Sequence, residues 1–176
     1  MAKKMAFSAI MMALAVLCLF GASTLPSAKI SVLALTSVFG TVCVAEYGAK
    51  YGMIHYVGVS LLSLLLIPKK MLVIIYLLFI GYYPIVKMYV ERLDKRWLEW
   101  LLKLLIFNLF LVLAFFVFRT FFLPSLESIL AKIAVYYLPA VVVLLEAVFV
   151  IYDYVLSYII SYYYQVLQAK IHGGQM

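Results

Sequence analysis

Long apolar runs fill almost the whole chain, and short polar connections that often contain proline or glycine separate them. A helix needs roughly 20 apolar residues to cross the hydrocarbon core of a bilayer. Six runs approach or reach that length, so the pattern predicts an all-α polytopic membrane protein with short loops and a single transmembrane domain over residues 1–176. The predicted spans are residues 5–25, 30–47, 51–67, 71–90, 97–122 and 136–160.

The connections mark where these helices end. Pro26, Pro68 and Pro124 follow the first, third and fifth runs, and proline resists continuation of a helix. Gly48 and Gly52 permit a tight reversal between the second and third runs. Two interpretations of those runs are open: two separate crossings, or one re-entrant unit that changes the topology.

The composition makes the bilayer the main partner. The chain is 69% hydrophobic and 12% charged, with a mean hydropathy of +1.17. A soluble domain is nearer half apolar and a quarter charged. The net charge of +7 does not indicate nucleic acid, because no run of basic residues occupies a polar face. Cys18 and Cys43 lie inside apolar runs, so we expect no disulfide, metal or cofactor.

The distribution of Lys and Arg predicts the orientation. With the N-terminus inside, nine of the 14 basic residues lie on the inner side, although Lys69 and Lys70 lie outside. The positive-inside rule therefore predicts a multi-pass protein of the cell membrane with both termini cytoplasmic. The first run, which follows Lys3 and Lys4, also resembles a secretory signal peptide. We expect an uncleaved helix, because all downstream runs are also membrane-spanning.

Acidic residues in the last run are the main candidates for function. Glu146 and Asp153 lie within hydrocarbon, where an isolated carboxylate is costly. If the fifth run leads outward from Trp97, Lys103 lies about 9 Å and Asn108 about 16 Å along it. The returning helix brings Asp153 to the depth of Lys103 and Glu146 near that of Asn108. These pairs predict either contacts that fix the helix register or a polar ligand site.

Further candidates lie near the outer end of the fifth and sixth runs. Arg119 and Tyr137 share a similar depth there. With Glu146 and Asn108 they predict a cavity for an anionic or aromatic solute, and anchoring at the membrane interface is the alternative. His55 in the third run is interpreted as a core histidine, with a ligand or proton-relay role as the alternative.

The fourth run contains a proline and an ion pair. Pro84 predicts a kink, because a mid-helix proline removes one backbone hydrogen bond. Lys87 and Glu91 are four residues apart and predict an ion pair on one helix face. We expect the Lys87 side chain to extend to the inner headgroups.

The first run carries small residues four apart, Ala9 and Ala13. They lie on one helix face and allow close approach of a partner helix, although alanine is also common in membrane helices generally. The sequence lacks the HExxH, GxSxG and GxxxxGK[ST] motifs, so we expect no enzyme and no nucleotide hydrolysis by this chain.

Together, the six short-looped helices, Ala9-xxx-Ala13 and the glycine-containing residues 46–52 (EYGAKYG) resemble the substrate-binding S component of energy-coupling factor (ECF) transporters. The resemblance implies uptake of a vitamin or other small molecule, with energy from two ATPase subunits. It also implies that Ala9 and Ala13 dock on a transmembrane coupling subunit.

Residues 81–87 (GYYPIVK), with Tyr152 and Asp153, also resemble an uncharacterised bacterial integral membrane family. The alternative to solute binding is a structural or assembly membrane protein that has no small-molecule ligand.

Overall fold

The computed structural model describes residues 2–25, 29–93, 95–122 and 127–168, excluding the side chains of 2, 118–119, 121–136, 138 and 166–168. Every secondary-structure element of these residues is helical, and six segments are long and apolar enough to cross a membrane. The predicted all-α bundle of about six transmembrane helices is confirmed.

The helices follow one another with short connections. Their bounds are α1 Ala2–Thr24, α2 Lys29–Tyr47, α3 Ala49–Leu66, α4 Lys70–Ile75, a π-helical segment Tyr76–Ile80, α5 Tyr83–Val90, α6 Arg96–Phe122, α7 Glu127–Tyr162 and a second π-helical segment Tyr163–Gln168. The chain divides into two compact units. The first comprises residues Met1–Arg92 and Val155–Met176, and the second comprises Leu93–Tyr154.

Helices α2 and α3 of the first unit form a tight antiparallel hairpin. Gly48 makes the turn with φ of 80°, a backbone conformation that glycine adopts without steric cost. His55 of α3 lies beside Cys43 of α2, and a Cβ added to Gly40 would lie 3.5 Å from the His55 ring. The second and third runs are therefore separate helices, each of spanning length.

Helix α1 packs on this hairpin through a face that contains two alanines and a leucine. Ala15, Leu19 and Ala22 are fully buried and recur at intervals of four and three residues, which places them on one face. In lipid, apolar surface alone does not drive helices together, so close packing of small side chains contributes much of the association. The opposite face carries exposed apolar residues such as Ile10 and Leu17.

The fourth span is interrupted before its proline. Residues Tyr76–Ile80 are π-helical, and Pro84 lies in the first turn of α5, where a missing N–H leaves no bond broken. The predicted break thus occurs one turn upstream of Pro84. The Tyr56 hydroxyl donates a 3.0 Å hydrogen bond to the Leu77 carbonyl within the π-helical segment.

A methyl group at Gly52 should loosen the first unit. It would clash with Val44 Cγ2 and lie 3.2 Å from Ile85 Cγ1, and neither branched side chain moves easily. We expect Gly52→Ala to lower the free energy of unfolding by about 1–3 kcal/mol, measured by helical circular dichroism during denaturant titration in detergent. Gly21→Ala is the matched control, since nothing lies within 4 Å of its new methyl group. Equal stability of both variants would contradict this packing.

Candidate functional site

Within the second unit, helices α6 and α7 contact each other through a series of side-chain pairs. Phe107 stacks on Phe149 with ring centroids 4.4 Å apart, and polar pairs lie on either side of it. Residue numbers rise along α6 as they fall along α7, which identifies an antiparallel pair. The seven-residue spacing of Glu146 and Asp153 places both acids on one face of α7.

The first polar contact between α6 and α7 is an ion pair. Lys103 Nζ lies 2.9 Å from Asp153 Oδ2 and 2.7 Å from Glu99 Oε1, and its side chain is only 2% exposed. The Trp100 ring lies 5.4 Å from the same ammonium group. The contact expected between Lys103 and Asp153 is therefore present, and each buried charge has a partner of opposite sign.

The second polar contact between these helices is a hydrogen bond from a neutral amide to a carboxyl group. Asn108 Nδ2 donates 3.0 Å hydrogen bonds to Glu146 Oε1 and to the Leu104 carbonyl. Glu146 is half-buried. The expected proximity of Asn108 and Glu146 is thus present, and it provides a fixed hydrogen bond between two spanning helices.

Tyr137 and Arg119 were predicted to bind a ligand together with this pair. Tyr137 is 57% exposed, and the Arg119 side chain lies outside the described residues. The predicted outer cavity therefore stays a prediction.

Lys87 of the first unit is held inside the protein. Its Nζ lies 2.6 Å from Glu91 Oε1 and donates a 2.7 Å hydrogen bond to Ser157 Oγ of α7. The side chain is 1% exposed, so the expectation that it extends to the headgroups is wrong. Ser157 was not predicted, although it lies four residues after Asp153 on the same helix face. The pair of Lys87 with Glu91 is present as expected.

A pocket of about 370 Å³ lies between α2, α5 and the end of α7, and we call it the α2–α5–α7 pocket. Its lining residues are Thr41, Val44, Ala45, Gly48, Pro84, Met88, Glu91, Arg92, Ile160 and Tyr164. The sequence did not predict it, because its walls come from segments more than 30 residues apart.

The pocket lies at the end of the first unit where α1 begins. Lys4 of α1 lies 5.5 Å from the Tyr47 ring at the end of α2, and Phe7 packs edge-on against the same ring. This is the end that the distribution of Lys and Arg predicts to be cytoplasmic.

Hydrogen bonds from the second π-helical segment fix one wall of the pocket. The Tyr164 hydroxyl donates a 2.9 Å hydrogen bond to the Ala45 carbonyl, and the Tyr163 hydroxyl donates to the Glu46 carboxylate. Both bonds join the end of α7 to the end of α2. The carbonyl of Ala45 and the acid of Glu46 are therefore already engaged by the protein.

A second buried polar group lies deeper in the first unit. His55 Nδ1 is 3.8 Å from Cys43 Sγ, and Ser8 Oγ is 4.0 Å from that sulfur. His55 Nε2 has no hydrogen-bond partner among the described residues. His55 is fully buried, as expected of a core histidine. The described residues also contain no group of three or more candidate metal ligands.

No protein-family model, curated protein or solved structure matches the chain.

Breaking the Lys103–Asp153 pair should destabilise the second unit more than removing both partners. Asp153→Leu removes the buried carboxylate that lies 2.9 Å from the Lys103 ammonium group, and we expect a loss of about 2–4 kcal/mol in the free energy of unfolding. The double variant Lys103→Met/Asp153→Leu should recover about 1 kcal/mol or more, measured by Trp fluorescence during unfolding in mixed detergent micelles.

Glu99→Gln is the control, because its bond to Lys103 joins residues of one helix and should contribute only about 0.3–0.5 kcal/mol. Strict additivity of the two single substitutions would show that the pair is energetically uncoupled.

Proposed function

We propose that the protein is the membrane-embedded solute-binding subunit of a multi-component transporter in the cell membrane, with both termini cytoplasmic. The α2–α5–α7 pocket carries this proposal. Its volume of about 370 Å³ lies within the range of small-molecule sites, roughly 300–1,000 Å³. Its lining combines apolar side chains with a few polar groups, as such sites do.

The position of the pocket supports a transport role over a purely structural one. A pocket at the predicted cytoplasmic end corresponds to a bundle that faces inward, the state from which an imported solute leaves. In this proposal the solute enters from the outer side, and partner subunits with ATPase activity drive the bundle between its two states. The polar contacts of α6 and α7 would keep these helices in register during the change.

The interrupted fourth span provides a place for movement. Helix α5 contributes Pro84 and Met88 to the pocket and the turn after it contributes Glu91 and Arg92, whereas α4 contributes none of its lining. The π-helical segment Tyr76–Ile80 separates the two helices, and such segments occur frequently at functional sites. We propose that α5 moves at this segment to open or close the pocket.

Filling the pocket should remove bound solute. Ile160→Trp adds an indole to the lining, whereas Ile151→Trp makes the same change on α7 at a residue that is 64% exposed. We expect mass spectrometry of the purified protein to detect a co-purifying small molecule in the wild type and in Ile151→Trp. Its amount should fall about tenfold in Ile160→Trp, the effect of losing about 1.4 kcal/mol of binding free energy.

Equal retention in both variants would place the solute elsewhere. Consistent absence of any small molecule from the wild type, over several preparations and host membranes, would contradict solute binding itself.

An assembly protein without a small-molecule ligand is the second candidate, and the outward face of α1 favours it. Ala6, Ala9 and Ala13 are exposed, while Ala15 and Ala22 of the same helix are buried. Small exposed residues allow another helix to approach closely. In the transporter proposal the same face docks the coupling subunit.

Bulky residues on this face should break assembly without unfolding the bundle. We expect Ala9→Leu/Ala13→Leu to reduce recovery of a membrane partner about tenfold in affinity purification from native membranes, because leucine prevents close helix contact. Ala140→Leu, at an exposed residue of α7, is the control and should retain the partner.

Unchanged recovery would exclude this face as the docking surface. Recovery of an ATPase with its membrane subunit would favour the transporter, whereas a non-ATPase partner without bound solute would favour the assembly protein.

A further inference from the structure

We infer that the α2–α5–α7 pocket takes an amphipathic anion, with Arg92 binding its phosphate or carboxylate group and the apolar lining binding its hydrocarbon part. This inference rests on the proposed function and adds the chemical class of the solute.

The charge of the pocket favours an anion. Glu91 lines the pocket but forms an ion pair with Lys87, whose Nζ lies 2.6 Å away, so the Glu91 carboxylate already has a positive partner. Arg92 lines the same pocket, and its guanidinium lies 5.9 Å from the Tyr89 ring. Among the described residues no carboxylate forms an ion pair with Arg92. Within the part of the chain that the structure describes, the lining therefore has one positive charge without an acidic partner.

The acid that follows Ala45 in the sequence does not add a negative charge to the lining. Glu46 directly follows the lining residue Ala45, but it is not part of the lining. Its carboxylate accepts the hydrogen bond from the Tyr163 hydroxyl, which holds it toward the end of α7.

The rest of the lining specifies an amphipathic ligand instead of a small inorganic ion. Val44, Met88 and Ile160 provide apolar surface, with Pro84 beside them. A guanidinium group binds phosphate or carboxylate through two parallel hydrogen bonds, which fixes the direction of the ligand. A chain attached to such a group then extends along the apolar residues, where its transfer from water is favourable.

Two kinds of molecule combine an anionic group with a hydrocarbon chain in this way: a free amphipathic anion and an anionic lipid. The pocket lies at one end of the candidate spans Lys29–Tyr47 and Lys70–Val90, where lipid headgroups are expected. The experiment therefore contains one arm for each source.

The first arm measures binding of octyl phosphate to the purified full-length protein in a neutral maltoside detergent by calorimetry. Octanol tests the need for charge, and inorganic phosphate tests the need for the chain. We expect octyl phosphate to bind about tenfold or more tightly than either, and Arg92→Gln to remove about tenfold of that affinity. Arg96→Gln is the matched control, because Arg96 is exposed and outside the lining.

The second arm counts retained lipids by native mass spectrometry after reconstitution in nanodiscs of phosphatidylcholine with phosphatidylglycerol. Preferential retention of phosphatidylglycerol by the wild type and Arg96→Gln, and its loss in Arg92→Gln, would identify a lipid as the source. A response in the first arm alone would identify a free anion, and both results support the inference.

Equal anion binding by Arg92→Gln and Arg96→Gln in both arms would overturn it. If the pocket instead retains a neutral or cationic small molecule that Ile160→Trp expels, this inference fails while the proposed function stands. If the wild type binds no probe and retains no small molecule, both fail.

Discussion

Hydrocarbon provides no hydrogen-bond partners, so the polar side chains inside this bundle must find them within the protein. Two kinds of contact meet this constraint, although His55 Nε2 has no hydrogen-bond partner among the described residues. Thr36, Ser37 and Thr41 donate hydrogen bonds to carbonyl groups of their own helix α2. The charged residues instead bind across helices: Lys103 binds Asp153 of α7, and Lys87 binds Ser157 of the same helix. The register of the spanning helices depends on these contacts more than on apolar surface, which lipid satisfies equally well.

Helix α7 is central to this arrangement. Within the second unit it supplies Glu146 and Asp153 to the contacts with α6. Within the first unit it supplies Ser157, which binds Lys87, and Ile160, which lines the pocket together with Tyr164 of the second π-helical segment. A substitution at one of these residues therefore affects the contacts with α6 when it lies in the second unit. It affects the contact with Lys87 or the lining of the pocket when it lies in the first unit.

The contacts between α6 and α7 were predictable because depth in a bilayer and the rise of a helix are fixed quantities. Counting residues brought Lys103 to the level of Asp153, and the high cost of a lone charge in hydrocarbon required that they meet. The burial of Lys87 was not predictable, because a residue near a span end can reach water or turn inward. Packing beside Ser157 decides whether the Lys87 side chain reaches water or turns inward. The pocket also required packing among α2, α5 and α7, which no single segment encodes.

The π-helical segment Tyr76–Ile80 has a consequence for how this sequence tolerates change. A π-helical turn contains one residue more than an α-helical turn, so it is equivalent to a single-residue insertion in a regular helix. Each residue rotates the following part of a helix by about 100°. The segment lies between α4 and α5, upstream of both Lys87 and Arg92. Because the wide turn absorbs its extra residue, a single-residue deletion in this segment would restore a regular turn and leave Lys87 facing Ser157 and Arg92 at the pocket. The same deletion within α5, before Lys87, would turn both side chains away, although neither residue itself had changed.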